Sequence, residues 1–183
     1  MNEYGVLIGN DTVRFERLLP GPIERVWSYL TDAEKRGTWF ASGPMEPRIG
    51  GRMDITFDNS NLGPHPAPPP ERFKQYGGIF ESRHIVTGYE PPRRLCFTWD
   101  DDLDPAGSEV IIELSEEGDK VRLVLTHRRL ANIDDAINVS GGWHTHLALL
   151  AEQLEGNPTT PFWTAFDGVE DEYRKRYGKR RPA

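Results

Sequence analysis

The sequence contains a single cysteine, Cys96, among its 183 residues. One thiol excludes an internal disulfide and any zinc site built from several cysteines. No apolar stretch approaches the roughly 20 residues that a membrane-spanning helix needs, and the first residues lack the basic and then apolar order of a secretory signal. We therefore expect a cytoplasmic protein that does not associate with a membrane.

Basic residues are also in short supply, because 22 Lys and Arg stand against 29 Asp and Glu, a formal net charge of −7. A general nucleic-acid-binding protein needs a basic face, so we expect no nucleic acid as a partner. Six basic residues crowd into positions 174–183. These residues either form a tail that binds anions or, as we favour, lie at the C-terminus of a helix, where cations meet the negative end of its dipole.

Alternating and helical spacings of apolar residues divide the rest of the chain into elements. Residues 12–19 alternate as a strand, and a helix face with Ile23 and Trp27 follows. A second short helix is expected to carry Trp39 and Phe40. Antiparallel strands joined by turns are predicted over 52–57, 79–89, 95–99, 110–114 and 121–127. Apolar residues between 139 and 154 then predict a long helix, which Gly156 and Pro158 end.

Two segments stand apart from this pattern. Residues 58–76 hold five prolines and cannot form a central strand. Long loops of this kind are functional or disordered, and we favour disorder slightly. Residues 157–183 predict an extra helix with an apolar seam. This seam either covers the chain's own sheet or helix, or forms a homodimer contact through Phe162, Phe166, Val169 and Tyr173.

The motifs in combination resemble the START-like (SRPBCC) superfamily, and within it the branch named for the activator of the heat-shock-protein-90 ATPase. The matching residues are the proline and valine–tryptophan pattern of 22–27, Trp39-Phe40, Gly50-Gly51, the turn at 89–95, the strand end at 123–127, and Gly141-Gly142-Trp143. The resemblance covers residues 12–155, so the insertion 58–76 and the extension 157–183 lie outside it.

The resemblance implies one START-like domain over residues 1–183 with an α+β helix-grip fold, as in the birch-pollen allergen. A curved antiparallel sheet would wrap around the long C-terminal helix and enclose a cavity. Many relatives bind hydrophobic small molecules there, and some act as cyclases or hydrolases. We expect a hydrophobic or aromatic small molecule as the partner. A cyclase- or hydrolase-type enzyme and a chaperone-associated interaction module are the alternatives.

The expected ligand-binding residues combine an apolar wall with a few polar side chains that would orient the ligand. They are Trp39, Phe57, Arg83, Phe97, Trp99, Ile112, His127, Trp143, His146 and Leu150. The aromatic wall serves equally well as plain core, and only a measured cavity distinguishes the two.

The polar candidates each have a structural interpretation beside the functional one. His127 shares the strand phase of Leu123 and Leu125, and His146 flanks the apolar face of the long helix, so both are expected to need buried partners. Apolar residues occupy both phases of the strand 79–89, which leaves the direction of Arg83 open. An inward Arg83 would bind a ligand carboxylate. We assign no catalytic residue, and we expect no metal site and no cofactor.

Overall fold

Seven strands pair into one antiparallel sheet in the computed structural model, which describes residues 4–99 and 106–178. The strands are β1 (Val6–Ile8), β2 (Thr12–Pro20), β3 (Arg52–Phe57), β4 (Phe80–Glu90), β5 (Arg94–Thr98), β6 (Glu109–Glu117) and β7 (Lys120–Arg128). Their spatial order is β1-β2-β7-β6-β5-β4-β3, and every neighbouring pair is antiparallel. The predicted meander is confirmed, and β1 is an addition to it.

The helices lie against one face of this sheet. They are α1 (Ile23–Thr31), α2 (Ala33–Arg36), α3 (Ile133–Glu155), α4 (Phe162–Phe166) and α5 (Val169–Gly178). α3 begins at Asn132, whose side chain accepts a hydrogen bond from the Asp135 N–H at 2.9 Å, and it ends at Gly156 in the left-handed region. Both are preferred end residues. The long helix and the sheet give the expected α+β helix-grip fold.

The direction of Arg83 is settled by an irregularity in β4. Opposite β5, the register shifts between Val86 and Gly88, a β-bulge. A bulge reverses the alternation of side chains beyond it. Ser82 and His84 are therefore buried while Arg83 is exposed. Tyr89 is six residues from Arg83, so an uninterrupted alternation would place both on one face. Tyr89 nevertheless packs on the inner side against Trp27. The sequence left the direction of Arg83 open, and its assignment as a ligand-binding residue, which required the inward direction, is wrong for this reason.

The C-terminal seam covers the chain's own surface. Phe162, Phe166 and Tyr173 are 3%, 5% and 0% exposed, and Val169 is half-buried. These side chains pack within the chain, so the homodimer contact through them is not available. The single predicted extra helix is divided into α4 and α5, because Gly168 adopts a φ of +80° that ends the first helix.

The proline-rich segment 58–76 packs on this extension, whereas we had favoured disorder. The Phe73 ring lies 5.0 Å from that of Phe166 and 6.1 Å from that of Trp163. The Trp163 indole N–H donates to the Ser60 hydroxyl at 3.1 Å. Within the described ranges, no helix has both the length and the apolar content needed to cross a membrane.

Tyr173 fastens α5 to the N-terminal segment and to α3. Its hydroxyl oxygen accepts from the Gly5 N–H at 2.8 Å and lies 3.1 Å from His144 Nδ1. Burial raises the pKa of Tyr173, so the phenol is neutral at physiological pH.

Removing this hydroxyl by Tyr173→Phe leaves the Gly5 N–H without its acceptor. We expect the free energy of unfolding in urea to fall by about 1–3 kcal/mol, the usual cost of a buried unsatisfied donor. Tyr76→Phe is the control because Tyr76 is 59% exposed, and it should leave the urea midpoint unchanged. Equal midpoints for both variants would contradict the structural role of the Tyr173 hydroxyl.

Candidate functional site

Aromatic rings from four parts of the chain meet in the space between the sheet and α3, with Phe40 at their centre. Its ring centroid lies 5.0 Å from those of Phe57 and Trp143 and 5.1 Å from that of His146. The centroids of Trp39 and Trp99 follow at 5.4 Å and 6.4 Å. We call these six residues the aromatic cluster. Their separations suit stacked and edge-to-face aromatic pairs.

Phe40 reaches this position because the chain turns immediately after α2. The helix ends at Arg36, and the Phe40 N–H donates to the Arg36 carbonyl at 2.9 Å. We had expected Trp39 and Phe40 to belong to the second helix, but they follow it. The Trp39 indole donates to the Tyr29 carbonyl at 2.9 Å, which anchors the turn to α1.

The space left among these side chains is small. A cavity with a volume of about 10 Å³ adjoins the aromatic cluster, room for about one water molecule. Its lining includes Arg36, Trp39, Phe40, Phe97, Ile112 and Trp143. The resemblance implied a ligand-sized cavity, whereas aromatic side chains fill most of that space in this structure.

His127 joins the sheet to α3 at the edge of the aromatic cluster. The Trp143 indole N–H donates to His127 Nδ1 at 3.1 Å. Nδ1 is therefore the unprotonated nitrogen, and Nε2–H lies 3.3 Å from the Ser108 hydroxyl, which accepts from it. Both residues of the indole–imidazole pair are buried. The pair holds Trp143 in one orientation against Phe40.

His146 faces the aromatic cluster from α3 and is buried. Its Nδ1 lies 2.8 Å from the Trp39 carbonyl oxygen, and because a carbonyl only accepts, Nδ1 carries the proton. Burial lowers the pKa of His146 to about 4, against the opposing effect of this hydrogen bond. The imidazole is therefore neutral at physiological pH and ties α3 to the turn that carries Trp39.

Two polar residues of the interior were missed by the sequence analysis. His84 points inward from β4, with Nε2 at 2.7 Å from the Ser82 hydroxyl and its ring 6.1 Å from that of Trp99. Arg36 is 1% exposed and lies beside the cavity. The bulge in β4 interrupts the alternation of side chains, so the pattern did not indicate the inward direction of His84. No pattern indicated Arg36, because a Lys-Arg pair ending a four-residue helix is typical of an exposed turn.

Most of the predicted ligand-binding residues do converge. Four line the cavity, namely Trp39, Phe97, Ile112 and Trp143. Trp99 and His127 contact the ring of Trp143, and Phe57 and His146 contact the ring of Phe40. Leu150 is fully buried on α3 and is not among the cavity-lining residues.

Arg83 is the exception, because it lies on the outer face of the sheet. There it borders an open groove of about 550 Å³ together with Arg52, Asp54 and Glu81. Arg52 and Asp54, two residues apart on β3, form an ion pair at 2.6 Å beside this groove. The groove is charged and exposed, so it does not suit the apolar ligand that we expected.

Sequence comparison relates the chain to a known family. The sequence profile of the family described as "Activator of Hsp90 ATPase homolog 1-like protein" matches residues 20–155. None of the curated proteins matches the chain.

Several solved structures share the fold of this chain. A protein of Bordetella parapertussis, determined by solution NMR, is 44% identical with a TM-score of 0.79, covering 96% of this chain and 91% of its own. CalU16 from Micromonospora echinospora is 22% identical with a TM-score of 0.64, covering 95% and 94%. The Aha1 dimer from Colwellia psychrerythraea is 15% identical with a TM-score of 0.59, covering 79% and 96%. The last two show a shared fold only.

The lowered pKa of His146 makes stability depend on pH. Between pH 6.5 and about 4, the unfolded chain binds a proton on this imidazole that the folded protein does not. The free energy of unfolding should therefore fall as the pH falls through this window, by up to about 3 kcal/mol from this group. Urea titrations at pH 7, 5.5 and 4.5 measure it.

His146→Asn keeps an N–H that can donate to the Trp39 carbonyl but does not titrate. We expect this variant to lose stability less steeply on acidification than the wild type. His65→Asn is the control, because His65 is exposed, and it should reproduce the wild-type slope. A His146→Asn slope equal to that of the wild type would refute the assignment.

Proposed function

The chain belongs to the Activator of Hsp90 ATPase homolog 1-like family, and from that premise we propose that it binds an aromatic small molecule at the aromatic cluster between the sheet and α3. The observation that carries this proposal is the position of Phe40. Its ring contacts the deeply buried Trp143 and also the half-buried Phe57 and Trp99. The cluster thus extends from near the surface to the interior cavity.

A planar aromatic ligand suits this environment because it can replace the contacts that the protein's own rings make with one another. Aromatic pairs contribute about 0.5–1.5 kcal/mol beyond the burial of their area. Burial itself contributes roughly 25 cal/mol for each Å² of apolar surface before ordering costs. Affinity would come from the rings of the cluster, and orientation from the polar groups beside them.

Entry of a ligand requires some rings to move, because the cavity of about 10 Å³ is far smaller than an aromatic molecule. Phe57 and Trp99 are the half-buried members of the cluster. Phe80 is paired with Phe57 across β3 and β4 and is 60% exposed. We infer that this end of the sheet is the entrance. The measured affinity will then be the affinity of the open form multiplied by the fraction of molecules that are open.

The contacts of His127 support a role in binding rather than in turnover. Both ring nitrogens of His127 contact protein groups, the Trp143 indole and the Ser108 hydroxyl. A general base needs a ring nitrogen within reach of the substrate proton. We therefore assign His127 to holding Trp143 in place.

Indole N–H signals in ¹H–¹⁵N NMR spectra test the proposal at the level of single residues. On titration with 2-methylnaphthalene, we expect the signals of Trp39, Trp99 and Trp143 to shift. Trp27 packs against Tyr89 and Trp163 against Phe73, both outside the cluster, so their signals should stay in place. Shifts of equal size at all five tryptophans, or at none, would overturn the proposed site.

A paired substitution gives the same test in terms of affinity. Trp99→Leu removes one ring from the proposed entrance and should weaken binding about threefold to tenfold, as expected for one lost aromatic contact. Tyr76→Leu removes an exposed ring outside the cluster and should leave the affinity unchanged. Native mass spectrometry of protein purified from its own host adds a direct check, since a bound natural ligand would be released on denaturation.

A further inference from the structure

Arg36 carries a positive charge into the interior beside the cavity. Its side chain is 1% exposed, and within the described ranges it takes part in no ion pair with a carboxylate. Its Nε donates to the Ala41 carbonyl at 3.1 Å, and its Nη2 donates to the Gly43 carbonyl. The guanidinium is therefore held by neutral oxygens, and the negative charge of Asp32 acts on it without forming an ion pair.

The third nitrogen of this guanidinium is unused. Nη1 of Arg36 is buried and has no hydrogen-bond partner in the part of the chain that the structure describes. A buried donor without an acceptor costs about 1–3 kcal/mol, and more when the group is charged. Burial also lowers the pKa of Arg36 to about 10, which leaves the group protonated at neutral pH. An anionic acceptor would relieve both costs.

The surroundings restrict which anion fits. Arg36 lines the interior cavity together with Trp39, Phe40 and Trp143, and these aromatic neighbours favour a ligand whose remaining part is apolar and aromatic. One nitrogen and one positive charge match a monoanion bound through a single oxygen. A phosphate dianion would bring more charge and more acceptor oxygens than the site can satisfy. Among oxygen monoanions, a carboxylate is ionised at neutral pH, whereas a phenol is not.

We propose that the ligand of the aromatic cluster is an aromatic carboxylic acid whose carboxylate accepts a hydrogen bond from Nη1 of Arg36. This inference rests on the proposed function and adds the substrate class to it. The bonds from Nε and Nη2 to Ala41 and Gly43 hold the guanidinium plane before the ligand arrives. Such preorganisation lowers the cost of forming the contact.

Matched acid and amide probes test the charge requirement in the unmodified protein. The affinities of 2-naphthoate and 2-naphthamide are measured by calorimetry at pH 7, with benzoate and benzamide as a smaller pair. The two members of each pair have nearly the same shape. We expect the acid to bind about tenfold to a hundredfold more tightly, the range for a hydrogen bond to a charged group.

Arg36→Gln identifies the residue responsible. The glutamine amide can still donate to the Ala41 carbonyl, but it carries no charge. We expect this variant to bind 2-naphthoate no more tightly than 2-naphthamide, while its affinity for the amide stays within about threefold of wild type. Arg52→Gln, at an arginine exposed on the outer groove, is the matched control and should keep the wild-type preference.

The outcomes separate this inference from the proposed function. Equal binding of acid and amide by the wild type would overturn the role of Arg36 and leave the aromatic site standing. A preference for the acid that survives Arg36→Gln would also overturn it. Failure of every probe to bind would remove the proposed function and this inference together. If Arg36→Gln does not fold, the ¹⁵Nη signals of Arg36 in the wild type decide, since they should shift with the acid and not with the amide.

Discussion

The hydrogen bond from the Trp143 indole to His127 joins the long helix to the sheet in the middle of the apolar interior. Both partners are buried, so neither could easily exchange this bond for one to water. The bond orients the Trp143 side chain. The Trp143 ring lies 5.0 Å from Phe40 and 5.3 Å from Trp99. The aromatic cluster and the small cavity beside it depend on this arrangement.

The segments outside the family resemblance contribute to the same interior. Phe162, at the start of α4, packs its ring 4.7 Å from that of His146, and the insertion packs in turn against α4 through Phe73 and Phe166. The Phe162 N–H also donates to the Leu62 carbonyl at 3.1 Å. The insertion and the extension therefore support one another, and α4 reaches the aromatic cluster from outside the sheet-and-helix framework.

Strand directions could be predicted from the sequence where alternation is uninterrupted. Along β7, Leu123, Leu125 and His127 all point inward as their spacing predicts, because regular antiparallel partners on both sides preserve the period of two. In β4 the same reasoning left the face of Arg83 undecided. The bulge that reverses the alternation arises from pairing with β5, and pairing with a distant strand leaves no mark on the local pattern.

The sequence by itself determined the order of elements and most of the residues that surround the interior, because periodicity indicates which side of each element is apolar. The helix-grip fold was implied by its resemblance to the START-like superfamily. Only the tertiary structure decided how much space those side chains leave and which polar groups are enclosed with them. The volume between the sheet and α3 depends on how rings from distant segments fit together. The burial of Arg36 follows from that packing, since the turn from Trp39 to Gly43 and α1 close over it.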